Sequence, residues 1–196
     1  MPTLADNSTS LNQPNRCGWC GDDLIYQAYH DTEWGKPCYD ERTLFAMLCL
    51  EGMQAGLSWI TILKRREGYY HAFDEFDAQK IASFNDNKVA LLMQDTGIIR
   101  HELKIRAIIN NAKAYLAITK QQSFADYLWG ITTDDGKPII NHPINLDQVP
   151  VSTPVSDRLA KQLKKDGFKF VGSTTCYAYM QAVGMVNDHL MTCDFR

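Results

Sequence analysis

The sequence lacks the features of a membrane-spanning, secreted or disordered protein. No stretch approaches the roughly 20 apolar residues that a membrane span needs, and the polar segment Met1–Asn15 has none of the hydrophobic character of a secretory signal. Proline (7) and glycine (12) are scarce among 196 residues, whereas 45% are hydrophobic, enough for a folded core. We therefore expect a cytoplasmic protein without a membrane partner, with a disordered tail over residues 1–15 and one folded unit over 16–196.

A strong excess of one charge is also missing. The net charge of −3 disfavours nucleic-acid binding only weakly, because phosphate contact needs a local basic face rather than a basic protein. The positive charge lies in three groups: Lys64–Arg66; Arg100, Lys104, Arg106 and Lys113; and Arg158, Lys161, Lys164, Lys165 and Lys169. For any one group taken alone, a solvated helix face is the preferred interpretation.

The apolar residues recur mainly at helical spacing, which predicts an all-α fold. The predicted N-caps are Asp40, Ser58, Ser123 and Ser156, and Asp77 and Asp86 are each predicted to begin a short helix. We expect a long helix from about Arg100 to Thr119 and a last helix that runs toward Asn187. Residues 131–152 read as an irregular loop, and only 149–151 and 168–171 resemble short strands.

His189 and Cys193 are four residues apart, so on a helix both would face one metal ion. Cys17 and His30 are candidates for two further ligands, and a Cys2His2 set would tie the two ends of the chain together. Cys20 competes, because Cys17 and Cys20 form a CxxC motif that is also typical of thiol redox proteins. A redox motif of this kind is expected in an α/β pattern, whereas here a polar tail precedes the motif and helices follow it, which favours a metal site.

One carboxylate follows an apolar helical run and has aromatic neighbours in the sequence. Glu51 comes directly after Met47–Leu50 and is either an exposed helix end or part of a pocket. The rings that flank it are Tyr26, Tyr29, Trp34 and Trp59. Rings beside a carboxylate suit a flat cationic ligand, by stacking and cation–π attraction, and an extruded nucleobase is such a ligand.

Residues 91–106 have the pattern of a helix-hairpin-helix. Gly97 permits a turn between two helices, and the second helix would offer free N–H groups and a positive dipole end to a phosphate. Ile98 would anchor this hairpin in the core, and Arg100 and Lys104 would add positive charge. An ordinary helical corner explains the pattern equally well.

Taken together, these segments resemble the bacterial 3-methyladenine-DNA glycosylase I family of alkylation repair. The resemblance extends from Arg16 to about Cys193. It rests on Arg16–Trp19, Tyr29–Gly35, Glu51–Trp59, Gly97–His101, Gly167–Gly172 and Val186–His189. It implies a helix-hairpin-helix glycosylase fold of two helical lobes. It also implies a structural zinc on Cys17, His30, His189 and Cys193. It further implies a base pocket that contains Glu51, Tyr29 and Trp59 and is lined by Tyr26 and Trp34.

The implied activity is excision of 3-methyladenine from alkylated double-stranded DNA, with the free base as product and no obligate protein partner. No catalytic lysine is identified, which implies a monofunctional enzyme that leaves the strand intact. We hypothesise that Gln54 and Leu57 approach or wedge into the duplex. A non-enzymatic binding module for modified bases and a thiol oxidoreductase using Cys17 and Cys20 are the alternatives. The tail and Cys20 receive no role.

Overall fold

In the computed structural model, which describes residues 13–133 and 135–196, ten α-helices carry most of the chain. They are α1 Leu24–Thr32, α2 Glu41–Gln54, α3 Trp59–Leu63, α4 Arg66–Ala72, α5 Ala78–Ala82, α6 Asp86–Leu92, α7 Glu102–Thr119, α8 Phe124–Thr132, α9 Pro154–Lys165 and α10 Ser173–Ala182. The only strands in these residues are β1 (Ile139–Ile140) and β2 (Val186–Asn187), which pair in parallel. The mostly helical prediction is confirmed.

Helix α2 forms the centre of the core. Its residues 44–53 are all buried, because α7, α8 and α10 pack around it. A helix surrounded in this way has no need of a polar stripe. Asp40 begins it as predicted, since its carboxylate accepts a hydrogen bond of 2.8 Å from the Thr43 N–H. Glu51, a polar side chain within this stretch, is therefore held inside the protein.

Several predicted boundaries are wrong. Helix α7 begins at Glu102 with His101 as its cap, not near Arg100. Helix α9 begins with Thr153 as its cap and Pro154 in its first position, where a proline loses no hydrogen bond. Helix α10 ends at Ala182 rather than near Asn187. The segments 149–151 and 168–171 form no strand.

The two short strands connect the irregular loop to the end of the chain. Ile139 pairs with Val186 and Ile140 with Asn187, and the Asn141 N–H donates to the Asn187 carbonyl over 3.0 Å. This pairing fixes the loop that follows β1 beside the segment that follows β2.

Residues 1–12 of the predicted tail lie outside the described residues, but Asn15, at its predicted end, is hydrogen-bonded. Its N–H donates to the Asp194 carboxylate over 2.8 Å, and its amide donates to the Thr192 carbonyl. The first described residues are therefore attached to the C-terminus. No helix of the described segments is long and apolar enough to cross a bilayer.

Candidate base-binding cavity and metal centre

A cavity of about 230 Å³ opens beside the C-terminal half of α2. Five aromatic side chains line it: Trp19, Tyr26, Tyr29, Trp34 and Trp59. The remaining lining residues are Glu51, Gln54, Leu146, Val149, Ala178, Gln181 and Asp188. The structure thus brings together Glu51 and the four rings predicted for the base pocket, and it adds Trp19 to them. Its volume is below the roughly 300–1,000 Å³ of ordinary ligand pockets, which suits a small planar ligand.

Glu51 is the one lining carboxylate with no internal partner among the described residues. It is only 4% exposed, and its Oε2 atom is buried without a hydrogen-bond donor. Burial raises the pKa of Glu51 to about 8, because desolvation penalises the charged form. The exposed-helix-end interpretation is wrong, and the buried acceptor is instead available to a ligand in the cavity.

Two indole N–H groups in the same cavity wall are also unsatisfied. Trp19 Nε1 and Trp59 Nε1 are buried and donate no hydrogen bond in the described residues. Buried polar groups are nearly always paired, so a cavity with one free acceptor and two free donors fits a ligand with several polar edges.

The rings are packed closely rather than arranged as an open slot. Tyr29 and Trp59 have their centroids 5.5 Å apart at an interplanar angle of 50°. A base between two parallel rings needs roughly 7 Å, two contacts of about 3.5 Å each. At this spacing a flat ligand can stack on one of the two rings but cannot lie between both of them.

Asp188 forms a second polar wall that the sequence analysis missed. It is 1% exposed and accepts hydrogen bonds from Asn141 (2.7 Å), Tyr177 (2.8 Å) and Gln181 (2.7 Å). These bonds fix the Gln181 amide at the edge of the cavity. Neither helical periodicity nor a catalytic motif marks Asp188, since its donors lie on α10 (Tyr177 and Gln181) and in the loop after β1 (Asn141).

Four buried side chains with metal-binding atoms meet next to the cavity. The ligand atoms of Cys17, His30, His189 and Cys193 all lie within 4.8 Å of one another. The Cys193 sulfur is 3.3 Å from His189 Nδ1 and 3.5 Å from His30 Nε2, and the Cys17 sulfur is 3.6 Å from His189 Nδ1. Tetrahedral zinc with bonds of about 2.3 Å to sulfur and 2.0–2.1 Å to nitrogen separates the two atom types by about 3.5 Å. The group fits a tetrahedral metal.

The other ring nitrogen of each histidine is hydrogen-bonded. His30 Nδ1 lies 2.7 Å from Asp31, whose carboxylate also binds Arg16 over 2.7 Å. His189 Nε2 lies 3.0 Å from the Trp34 carbonyl oxygen, a contact in which the nitrogen can only donate. Such outer partners orient histidines toward a metal.

The predicted helical spacing of His189 and Cys193 is wrong, although the two side chains do meet. Residues 189–193 form a turn, in which the Cys193 N–H donates to the Leu190 carbonyl over 2.9 Å. The thiol redox alternative is disfavoured, because burial raises the pKa of Cys17 to about 12 and also raises that of Cys20. Reactive thiols have lowered pKa values.

The sequence of this chain matches the family model for methyladenine glycosylases over residues 19–196. A DNA-3-methyladenine glycosylase of Haemophilus influenzae is 52% identical over 91% of this chain and 96% of the relative. The chain belongs to the methyladenine glycosylase family. It is therefore an enzyme, a DNA-3-methyladenine glycosylase, and glycosylases are N-glycosyl hydrolases.

Solved structures agree with this assignment. A crystal structure of 3-methyladenine DNA glycosylase I superimposes with a TM-score of 0.89 at 55% identity, covering 92% of this chain and 98% of the other. A variant of 3-methyladenine DNA glycosylase I, solved in complex with 3-methyladenine, gives a TM-score of 0.88 at 36% identity over 92% and 97%. The fold of this glycosylase is that of these enzymes.

The residues predicted for DNA contact lie at the C-terminal end of α2 and in the α6–α7 connection. Gln54 lines the cavity, and Leu57, in the turn after α2, is 40% exposed. Arg100 is exposed and has no ion pair among the described residues. Ile98 is 2% exposed, as expected for the anchor of the hairpin.

The close approach of this connection to α4 requires a glycine at position 68, because a methyl group built on Gly68 would lie 2.8 Å from the Gly97 carbonyl carbon. No positive φ angle is found at Gly97. A methyl group built on Gly97 would lie 3.0 Å from Asp95 Oδ1 and 3.4 Å from the Cα atom of Gly68. The connection therefore rests backbone to backbone on α4.

Lys104 does not present its charge to solvent, so the predicted phosphate contact is wrong. It is 6% exposed, and its ammonium donates to the Met53 carbonyl over 2.8 Å and to the Ala55 carbonyl over 2.6 Å. Cations stabilise helix C-termini, and Lys104 thereby joins the start of α7 to the end of α2. Arg106 forms ion pairs with Glu102 and Asp86, whereas Arg100 is exposed and has no ion pair with any residue that the structure describes.

Proposed function

We propose that this enzyme extrudes 3-methyladenine from alkylated duplex DNA into the aromatic cavity and hydrolyses its N-glycosidic bond. The observation that carries the proposal is the buried, unpartnered Oε2 atom of Glu51 among the rings. A carboxylate in such a place discriminates strongly between a neutral and a cationic ligand.

Methylation at N3 supplies the charge that this cavity suits. It makes adenine formally cationic and a good leaving group, so little acid catalysis is needed. When the C1′–N9 bond breaks, its electron pair stays with the base, the water oxygen bonds to C1′, and the proton of that water passes to solvent. The reaction needs no enzyme nucleophile, and the strand remains uncut.

Glu51 is the residue that we assign to recognition of the damaged base. Its free oxygen accepts a hydrogen bond from the adenine amino group, whereas guanine presents a carbonyl oxygen at that position. Before a ligand binds, the raised pKa of Glu51, about 8, favours the protonated acid at neutral pH. A cationic purine stabilises the carboxylate instead, so the lesion is preferred over normal adenine.

Extrusion of the nucleotide costs a few kcal/mol, less for a damaged base. Stacking on an aromatic ring offsets roughly 1–3 kcal/mol per base, and Tyr29 and Trp59 supply the rings. Gln54 and Leu57 lie at the end of α2, where they can approach the duplex beside the cavity. The α6–α7 connection acts as a helix-hairpin-helix in which Arg100 and the first N–H groups of α7 hold a phosphate.

The four-residue metal group is proposed to hold a structural zinc. Two thiols and two imidazoles are a common closed set for this ion. Their sulfur–nitrogen separations of 3.3–3.6 Å and their hydrogen-bonded outer nitrogens support zinc. The ion links the N-terminal and C-terminal segments, which stabilises the folded state.

The test is release of free 3-methyladenine from methylated duplex DNA. The wild-type enzyme should release the base, whereas Glu51→Gln should bind free 3-methyladenine more weakly and keep its fold. Glu67→Gln, at an exposed position, is the matched control. If the wild-type protein binds methylated DNA but releases no base, it is a binding module and the proposal is wrong.

A further inference from the structure

The loop between α9 and α10 contains an exposed aromatic residue in a backbone conformation that bulky side chains avoid. Phe170 has a φ angle of 57° and is 36% exposed. The left-handed region is unfavourable for a large side chain, and such outliers concentrate at functional sites. Phe76 has a similar φ of 54° but is 1% exposed, so burial in the core offsets its strain. Burial does not offset the strain of Phe170 to the same extent.

Two asparagine side chains hold this loop on α7 with three hydrogen bonds. The buried Asn111 accepts from the Lys169 N–H over 2.8 Å and donates to the Lys169 carbonyl over 3.1 Å. The neighbouring Asn110 donates to the Gly167 carbonyl over 2.6 Å. The backbone of Lys169 is thus clamped on both sides, and the conformation of Phe170 is imposed by this clamp.

The clamp places Phe170 against the end of α2 that leads to the cavity. A methyl group built on Gly52 would lie 3.2 Å from Phe170 Cβ and 3.5 Å from its carbonyl oxygen. Gly52 directly follows Glu51, and Gln54 at the cavity lies two residues further on. Gly52 therefore gives Phe170 room to lie on α2 near the cavity.

Lys169 adds a positive charge to the same loop. Its residue is exposed, and no carboxylate lies within 4 Å of its ammonium in the part of the chain that the structure describes. An exposed cation next to an exposed ring is the pair that single-stranded or unstacked nucleic acid requires, one for phosphate and one for a base face.

We propose that Lys169 and Phe170 form a second DNA contact, separate from the α6–α7 connection. Phe170 stacks on a base that becomes unstacked next to the extruded nucleotide, and Lys169 binds a nearby phosphate. This inference rests on the proposed function, because only extrusion of the lesion exposes such a base.

The test compares Phe170→Leu with Phe170→Trp. Leucine keeps an apolar contact with α2 but cannot stack, whereas tryptophan stacks. Phe170→Leu should weaken binding to a duplex with an abasic-site analogue about 5- to 100-fold, as expected for one lost stacking contact. Its affinity for free 3-methyladenine and its Tm should stay close to wild type, and Phe170→Trp should restore duplex binding. A 2-aminopurine beside the abasic analogue should be less fluorescent with wild type than with Phe170→Leu.

Lys169→Gln provides an independent readout. It should reduce the slope of log K against log salt by about one, whereas Lys161→Gln, on the same basic stretch but outside the loop, should leave the slope unchanged. If Phe170→Leu binds the duplex as tightly as the wild type, the inference is wrong. It is also wrong if Tm and free-base affinity fall together, because Phe170 would then only stabilise the packing of α2. Failure of the wild-type enzyme to release any base would overturn the proposed function, and this inference with it.

Discussion

The burial of Glu51 predicts that the free energy of unfolding falls as pH rises. Glu51→Gln should remove this contribution to the pH dependence. The pKa of Glu51 is raised by burial from its ordinary value of 4.5 to about 8. Between these values the folded state holds a proton that the unfolded chain has lost. The stabilising contribution of the protonated acid is therefore complete below about pH 4.5 and is lost as pH rises to about 8.

The magnitude follows from the size of this shift. Each pH unit in this window lowers the free energy of unfolding by ~1.36 kcal/mol. The whole window amounts to roughly 5 kcal/mol, a large share of the 5–15 kcal/mol of an ordinary domain. Glutamine has nearly the same shape and no proton to lose, so Glu51→Gln should gain stability relative to wild type as pH rises.

The measurement is urea unfolding of wild type and variant between pH 5 and pH 9, with Glu67→Gln as control. Because both proteins carry the same other titrating groups, the difference between them isolates Glu51. That difference should grow steadily up to about pH 8 and then level off. A difference that stays constant over this range would mean that Glu51 is solvated, and the recognition of positive charge by the cavity would lose its physical basis.

Three further predictions concern the metal group and the DNA side. Cys193→Ser should lower metal content and Tm together, whereas Cys38→Ser, outside the group, should leave metal content unchanged; a metal-free wild-type protein of full stability would contradict the zinc assignment. Arg100→Ala should reduce the salt slope of duplex binding by about one, and an unchanged slope would argue against the hairpin as the phosphate anchor. Lys104→Met should lower stability by about 1–3 kcal/mol, since the Met53 and Ala55 carbonyls lose their charged donor, yet leave the salt slope unchanged; the reverse pattern would place Lys104 at the DNA interface.

The sequence predicted best what depends on neighbouring residues. Asp40 and Ser123 cap their helices as predicted, because a cap needs only a side-chain oxygen two or three residues before a free N–H. The aromatic neighbours of Glu51 were also identified correctly, since they lie on α1, α3 and the turns beside them. These elements are close to α2 in the sequence as well as in space.

What the sequence could not predict depends on contacts between distant segments. In the sequence, Lys104 is one more basic residue in a predicted helix. Only the fold shows that its ammonium donates to carbonyls at the C-terminal end of α2. The irregular loop gives no periodic signal, yet the pairing of β1 with β2 delivers Leu146 and Val149 to the cavity. His189 and Cys193 meet in a turn rather than on a helix, so their spacing predicted the right pair for the wrong geometric reason.

The metal group and the base cavity share a wall, which explains why the ends of the chain matter for a site in its middle. Trp34 lines the cavity, its carbonyl accepts from His189 Nε2 over 3.0 Å, and its ring centroid lies 4.7 Å from that of His189. Trp19 lies between the two sites in the same way, 5.3 Å from the His30 ring and 5.0 Å from the Trp34 ring. Because the rings of Trp19 and Trp34 pack on both histidines, the two ends of the chain help to hold this wall of the cavity in place.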